Sequence, residues 1–400
     1  MTLSATTTAA TTTAAAAASH RIKCELCGAE VHSIQLHLRE DHAGVTIQQY
    51  QEQFPGAPLL SELAKMKVAE AARAKGAAAA PASIAMAVSA DGITRKPLHE
   101  LFGFGKIKAA MNSKGEPIPV TCLIEAPNPE LVPDVNDGYV YEMEDLKNAL
   151  LALELNIPIY CWGHAGTGKT EFFEQITART NRPLIRVQHT VNTEESHIIG
   201  MWTVKDGQTV FQLGPLAMAM KHGWTYLADE YDFALPSVLS VYQPVLEGKP
   251  LVIKEADEEN RVIRPHKNFR FVATGNTNGS GDETGLYQGT SIQNAANYDR
   301  FGMVIHKKYM KPDLEAKILV NRAGIDAEDA KKLVDFANRV RESYDGSKIS
   351  NTISPRTLIN AAKLGLRRGS YRAGISLSFG NKLSRVDAEV VDGLSQRIFG

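Results

Sequence analysis

The chain has 400 residues, a formal net charge of −1 at pH 7 and a hydrophobic share of 44%. That is enough apolar material for a sizeable core spread over two or three domains. The near-neutral balance gives no global attraction to nucleic acid or anionic membrane, no apolar run approaches the about 20 residues that span a bilayer, and 4 cysteines in a chain this long make no disulfide framework.

Residues 1–19 are a Thr/Ala tract with little to bury, expected to be disordered. The tract has neither the charged start nor the apolar stretch of a secretory signal, so the expected location is the cytoplasm. Cys24 and Cys27 follow, then His37 and His42, in a C-x2-C-x9-H-x4-H spacing. Cys27-Gly28 suits a knuckle that turns two thiolates toward one ion, and a helix over 33–42 would bring the two imidazoles together. Such a set suits tetrahedral Zn²⁺, and a segment this small needs the metal to fold. His32 is an alternative ligand, but it sits early on that helix. Residues 60–71 read as a helix, and the Ala-rich stretch over 72–90, broken by Gly76 and Pro81, reads as a linker.

From Pro97 onward the sequence reads as globular. Leu146, Leu150, Leu151 and Leu155 mark a helix over 141–155. A short buried strand over 157–162 leads into Gly163, His164, Ala165, Gly166, Thr167, Gly168, Lys169 and Thr170, which have the G-x-x-x-x-G-K-[ST] spacing of a phosphate-binding loop. Glycines let the backbone curl so that its N–H groups face an anion. Lys169 would add a charge near the β- and γ-phosphates of ATP, and Thr170 a hydroxyl for Mg²⁺. The helix over 171–177 would present its N-terminus to the same phosphates.

A strand over 183–187, a helix over 193–200 and a hairpin over 202–211 turning at Asp206-Gly207 come next. Gly214-Pro215 opens a further helix. The apolar strand over 223–230 ends in Asp229 and Glu230; in an ATPase, Asp229 would hold Mg²⁺ and Glu230 would deprotonate the attacking water. A parallel α/β sheet puts both strand ends on one edge. Residues 235–246 read as a helix, 251–254 and 261–263 as a paired turn, and 269–276 as a strand ending in Asn276. A Gly-rich, mobile stretch over 279–290 precedes Asp299-Arg300-Phe301. Helices are then expected over 311–323, 327–344, 356–367 and 383–398, with Ser354-Pro355-Arg356 as a helix start.

Two resemblances follow from these residues. Cys24-x-x-Cys27-Gly28, His37-Leu38-Arg39-x-x-His42, Thr46-x-x-x-Tyr50 and Phe54-Pro55 resemble the Ros/MucR zinc-finger family. That implies a module over 20–70 that holds zinc and binds DNA. The helix carries Glu40 and Asp41 against the single Arg39, however, and DNA affinity comes mostly from cations on phosphates, so a protein-docking or purely structural finger stands equally open.

The order of phosphate loop, Asp-Glu strand, Asn-tipped strand, Asp-Arg-Phe and Ser-Pro-Arg resembles the AAA+ ATPases. The hairpin and Gly214-Pro215-Leu216 narrow this to the MoxR/chelatase branch. Leu227-Ala228-Asp229-Glu230-Tyr231-Asp232, Arg261 to His266, Thr284-Gly285-Leu286-Tyr287-x-Gly289-Thr290 and Ile353 to Thr357 are similar to the CobS family of cobaltochelatase AAA+ subunits. The resemblance implies an α/β AAA+ P-loop core over 97–305, its parallel sheet flanked by helices, and a helical lid over 306–400. A linker over 71–96 would precede them. It further implies Asn276 as sensor 1, Arg300 as an arginine finger acting on a neighbouring subunit and Arg356 as sensor 2. A homo-oligomeric ring, expected to be a hexamer, goes with these roles, as do a large chelatase subunit and a von Willebrand-type partner. The alternative is a MoxR-like or phage or plasmid ATPase targeted by its finger to DNA or a protein.

Overall fold

The computed structural model describes residues 21–42, 44–61, 64–65 and 92–400. The chain divides into two compact units, Met1–Met86 and Ala87–Gly400. The Thr/Ala tail, nearly all of the expected linker and most of the expected helix over 60–71 lie outside the described residues.

In the first unit, strands β1 (Ile22–Lys23) and β2 (Glu30–Val31) pair antiparallel. Between them Gly28 takes φ +76 and donates its N–H to Cys24 O, which closes the expected knuckle. Helix α1 (Ile34–Asp41) begins on Ser33, whose hydroxyl accepts from Leu36 N–H, and α2 (Ile47–Gln53) begins on a Thr46/Gln49 capping box. Among the described residues, Cys24, Ile34, Leu38 and Tyr50 form the buried apolar centre of this unit. So small a core is marginal without a staple.

The second unit opens earlier than residue 97. Strand β3 (Ile93–Pro97) pairs antiparallel with β4 (Pro119–Leu123), a non-local pairing that composition does not disclose. Helix α3 (Met143–Glu154) leads to β5 (Ile159–Trp162), and α4 (Lys169–Arg179) to β6 (Leu184–Gln188). Then come α5 (Glu195–Ile199), the hairpin β7 (Gly200–Lys205) and β8 (Gln208–Leu213), α6 (Pro215–His222) and β9 (Thr225–Asp229). Asp206 and Gly207 both take positive φ, +53 and +76, as a two-residue hairpin turn of the primed type requires. The short pair β10 (Leu251–Val252) and β11 (Val262–Ile263) precedes β12 (Arg270–Gly275), α7 (Ala295–Asp299) and β13 (Met303–His306).

The single helix expected over 235–246 is instead two short helices, Pro236–Leu239 and Gln243–Leu246, joined by a 3-10 turn at Ser240–Tyr242. Pro244 has no N–H to give to a continuous α-helical ladder, which accounts for the break.

Five strands form one parallel sheet in the order β13-β5-β12-β9-β6. Successive residues of β12 serve opposite faces. Phe271 and Ala273 pack with Tyr160 and Tyr226, whereas Val272 packs with Leu227, Ile159 and Phe172 of α4. Burial on both faces is why these strands read as continuous apolar runs. In register, Gly275 lies beside Trp162 and Ala273 beside Ala228, so the C-terminal ends of β5, β12 and β9 sit side by side.

Five helices follow: α8 (Pro312–Ala323), α9 (Ala327–Asp345), α10 (Pro355–Arg368), α11 (Tyr371–Ser378) and α12 (Arg385–Phe399). They share one apolar core that includes Leu319, Leu333, Phe336, Leu358 and Val391. Helix α11 is not legible in the sequence, because Gly374 weakens its helical signal. The glycine is there for packing: a Cβ on Gly374 would stand 2.2 Å from Ala361 O of α10.

Within this core Arg341 of α9 makes a bidentate pair with Glu315 of α8, with Nη1 and Nη2 each 2.7 Å from a carboxylate oxygen. The side chains are 7% and 2% exposed. Breaking one half of such a buried pair leaves the other charge uncompensated. Glu315→Gln is therefore expected to destabilise the chain by about 3–5 kcal/mol, read as a lower denaturant midpoint. An unchanged midpoint would show that the pair contributes nothing.

Candidate functional site

The phosphate loop bridges β5 and α4, and two of its three glycines are required by close approach. A Cβ on Gly163, at φ +151, would lie 2.1 Å from Lys307 O, the residue after the edge strand β13. A Cβ on Gly166, at φ +77, would lie 2.8 Å from Ser354 Cβ, just ahead of α10. The loop is thus clamped between the sheet edge and the helical region.

Lys169 is buried, and its ammonium donates to Gly163 O at 2.7 Å, His164 O at 3.0 Å and Asn276 Oδ1 at 3.1 Å. Burial holds its pKa below the ordinary lysine value, with nearby acids opposing. Thr170 Oγ1 donates to Asp229 Oδ1 at 2.8 Å. Asp229, 2% exposed, also receives Arg186 Nε on Oδ2 at 2.8 Å and the Thr274 hydroxyl on Oδ1.

Glu230, next in sequence, takes φ +53 in the left-handed region. A non-glycine residue there is strained, and such strain concentrates at functional sites. Its N–H donates to Thr274 Oγ1 at 3.3 Å, and Oε2 accepts from Gln188 Nε2 at 3.3 Å. The backbone N–H of Asn276 is held at 2.8 Å by Asp232 Oδ2, which also accepts from the N–H and hydroxyl of Thr277. Burial raises the Asp232 pKa, and those three hydrogen bonds act against it.

One cavity of about 450 Å³ collects these groups. Lys169, Thr170, Asp229, Glu230 and Asn276 line it from the sheet side, together with Ala165, Gly166, Thr167 and Gly168. Arg356 and Ile359 of α10 and Ile318 and Arg322 of α8 line it from the helical side. Of the sequence-predicted nucleotide residues, Gly163 and His164 open the loop without lining the cavity, and Arg300 is placed away from the loop altogether. It follows α7, with Nε 2.7 Å from Glu247 Oε1 and Nη1 2.6 Å from Ala296 O. Its acidic partner is Glu247, and the adjacent Asp299 plays no part in that pair. The pKa of Glu247 is lowered, by Lys249 first and Arg300 second.

Arg186 on Asp229 and Arg322 carry no motif signal in the sequence, while Asp232 behind Asn276 and Tyr287 occur there only inside family-like stretches, with no role of their own. Arg322 pairs with Glu171 of α4 at 2.8 Å, joining the helical region to the phosphate-loop helix. The Tyr287 hydroxyl accepts from Ala165 N–H at 3.0 Å and lies 2.9 Å from His164 Nδ1. Which of the two donates depends on the His164 tautomer. Burial, then Lys169, lowers the pKa of His164, which favours the neutral imidazole. The same ring stacks on Tyr309 at 5.4 Å and 5°, and the Arg341 guanidinium lies 3.9 Å over Tyr309. A column of rings therefore runs from the phosphate loop to the buried Arg341–Glu315 pair.

In the first unit the ligand atoms of Cys24, Cys27, His37 and His42 all lie within 4.8 Å of one another. Cys27 Sγ is 3.1 Å from His37 Nε2, and His37 Nδ1 is 2.8 Å from the Asp41 carboxylate. That outer contact turns Nε2 toward the thiolates, as metal-bound imidazoles require. His42 Nε2 is buried without a hydrogen-bond partner. The donor set and the orphaned nitrogen fit a tetrahedral ion. His32 lies outside the cluster, at 2.9 Å from Ser61 Oγ.

A Gly-rich loop between a parallel strand and a helix, with its lysine and a hydroxyl–aspartate pair facing one cavity, defines a P-loop nucleoside triphosphatase. Residues 160–334 match the AAA domain of the dynein-related subfamily, and 315–398 match the CbbQ/NirQ/NorQ C-terminal domain. The aerobic cobaltochelatase subunit CobS of Sinorhizobium sp. is 34% identical over 280 residues, covering 67% of this chain and 83% of that protein. CbbQ of Hydrogenophilus thermoluteolus is 28% identical over 209 residues, 52% of this chain and 74% of that one. The Thermotoga maritima RuvB Holliday junction branch migration motor covers 67% of this chain and 72% of that structure at 15% identity, with a TM-score of 0.39. The chain belongs to the AAA+ ATPases of the CobS/CbbQ/NorQ type. It is therefore an ATP hydrolase, and nucleotide and Mg²⁺ go with that assignment. No helix among the described residues is long and apolar enough to cross a membrane.

Tyr287→Phe removes the acceptor from Ala165 N–H and the hydrogen bond to His164 while keeping the ring. The expected result is a loss of about 1 kcal/mol of loop order, measured as roughly fivefold weaker ATP binding with the fold intact. Wild-type affinity would show that the hydroxyl does not position the loop.

Proposed function

We propose that the chain works as a homo-oligomeric ring, a hexamer, in which each ATP is held by one subunit and completed by the next. Within a subunit, Lys169 and the loop N–H groups bind the β- and γ-phosphates, and Thr170 and Asp229 hold Mg²⁺. The ion, when bound, neutralises charge on the phosphate oxygens. Glu230 takes a proton from the attacking water, whose oxygen bonds to the γ-phosphorus as the β–γ bridging oxygen leaves. Asn276 holds the γ-phosphate or the water, and Arg356 meets the phosphates from α10, which ties the helical region to the nucleotide state. Arg300 comes from the neighbouring subunit and stabilises charge on the γ-oxygens.

The observation that carries this reading is the split in placement. Lys169, Asp229, Asn276 and Arg356 share one cavity, while Arg300 sits outside it on an exposed pair with Glu247. Hydrolysis would move the β7–β8 hairpin against a partner. By likeness to CobS, that partner is a large chelatase subunit acting with a von Willebrand-type protein in metal insertion. The second reading is recruitment to DNA or to another protein by the first unit, favoured by the Cys24, Cys27, His37 and His42 cluster, which we take to hold Zn²⁺.

Glu230→Gln should keep ATP binding and lose roughly 10²–10⁴ of the turnover. Arg300→Ala should lose about 10³ or more with ATP affinity unchanged. Mixed with Lys169→Ala chains, which retain the arginine but cannot bind ATP, it should regain hydrolysis. No recovery in mixed oligomers would remove the shared site.

Purified full-length chain should release a single Zn²⁺ on thiol modification, and Cys27→Ser should abolish this while leaving ATP hydrolysis in place. Absence of zinc in protein purified without chelator would remove the zinc assignment. A salt-sensitive gel shift lost in Cys27→Ser would favour the DNA reading.

A further inference from the structure

A second cavity, of about 270 Å³, lies among the β3–β4 segment, α3 and the turn after α4. Its walls are largely apolar, built from Leu98, Ile118, Val120, Leu150 and Leu153. Into this apolar lining the chain puts Arg182, which is 5% exposed and whose Nη1 is buried without a hydrogen-bond partner. A buried guanidinium N–H without a partner is expensive, and a neutral side chain would occupy the place without that penalty.

The neighbouring groups do not satisfy it. Glu154 is the one acid among the described lining residues, and its carboxylate is engaged by Arg95 Nη2 at 3.1 Å and by the Thr121 hydroxyl. Cys122 is buried, and burial pushes its thiol up to about 11, so it is neutral near pH 7 and offers no countercharge. The nearby Arg270 shows the contrast. Its Nη1 donates to Lys267 O at 2.9 Å and Phe269 O at 2.7 Å, and its Nε donates to Leu153 O. Backbone carbonyls accept from Arg270, whereas Nη1 of Arg182, a residue lining the apolar cavity, has no partner.

We propose that this cavity binds a small organic monocarboxylate, its carboxylate accepting from Arg182 and its hydrocarbon part lying against Leu98, Ile118, Val120 and Leu150. The volume falls just under the about 300 Å³ at which drug-sized pockets begin, which limits the ligand to a short chain or a single ring. Glu154 on the wall disfavours a second negative charge, so dicarboxylates and phosphates are excluded. Lys147 and Arg182 together disfavour amines. The inference concerns a site apart from the nucleotide cavity and stands or falls independently of the hydrolytic scheme.

The test is binding of hexanoate, octanoate and benzoate to the full-length chain, followed by thermal shift and saturation-transfer NMR. Octanol, octylamine and succinate serve as controls. The expected result is concentration-dependent stabilisation by the monocarboxylates alone. Arg182→Met should weaken it by roughly ten- to a hundredfold, as loss of a charge-assisted hydrogen bond does. Leu150→Trp, which fills the slot without touching the charge, should block it while ATP hydrolysis continues. Equal binding to wild type and Arg182→Met, octanol binding as well as octanoate, or no binding by any carboxylate at millimolar concentration would each overturn the proposal.

Discussion

The parallel pairing of β12 between β5 and β9 is the constraint on which the rest depends. Each strand carries one chemical group at or just past its C-terminal end: the phosphate loop after β5, Asp229 and Glu230 at β9, Asn276 after β12. In-register parallel hydrogen bonds bring those ends to one edge, and a shift of one residue would turn each side chain to the opposite face. Phe271 and Ala273 fill one packed layer and Val272 the other, so such a shift would exchange side chains of different size between two close-packed layers. The chemistry at the edge is thus indexed by apolar packing several residues away from it.

The hydrogen bonds at the edge form two sets joined along the chain at Lys169-Thr170. Lys169 spans the loop and Asn276, Thr170 reaches Asp229, Thr274 touches Asp229 and receives the Glu230 N–H, and Asp232 holds the backbone of Asn276. Few of these groups can move alone. From the other side, Gly166 lies against Ser354, Arg322 pairs with Glu171, and the rings of His164 and Tyr309 lead to Arg341 and Glu315. The phosphate loop and the five-helix region are therefore held in direct contact.

Residues that announce themselves by chemistry and spacing were legible in the sequence. The glycines, lysine and threonine of the loop, the two acids after an apolar strand, the Asp206-Gly207 turn and the Cys/His spacing each follow from a local requirement of backbone or ligand. Other features were hidden because their reasons are non-local. Arg186 is an ordinary charged residue until the fold carries it to Asp229, and Asp232, though inside a family-like stretch, gains a role only when the fold sets it behind Asn276. Tyr287 lies in a Gly-rich stretch that reads as a loose loop, yet its hydroxyl is bonded to the phosphate loop. Helix α11 is masked by a glycine needed for contact with α10, and Pro244 breaks a stretch whose apolar pattern alone suggested one continuous helix.

By itself, the sequence determined the class of machine: a phosphate loop, an acidic strand end and a polar strand tip in fixed order, followed by a helical region and preceded by a metal-type cluster. It could do so because strand, turn and loop chemistry are short-range. Only the tertiary structure decided which charges meet. It put Arg300 on Glu247 outside the cavity, placed Arg356 within it, buried Arg341 against Glu315 and left Arg182 without a hydrogen-bond partner for Nη1 in an apolar slot. Those outcomes depend on which surfaces pack together, and packing joins residues that lie far apart along the chain.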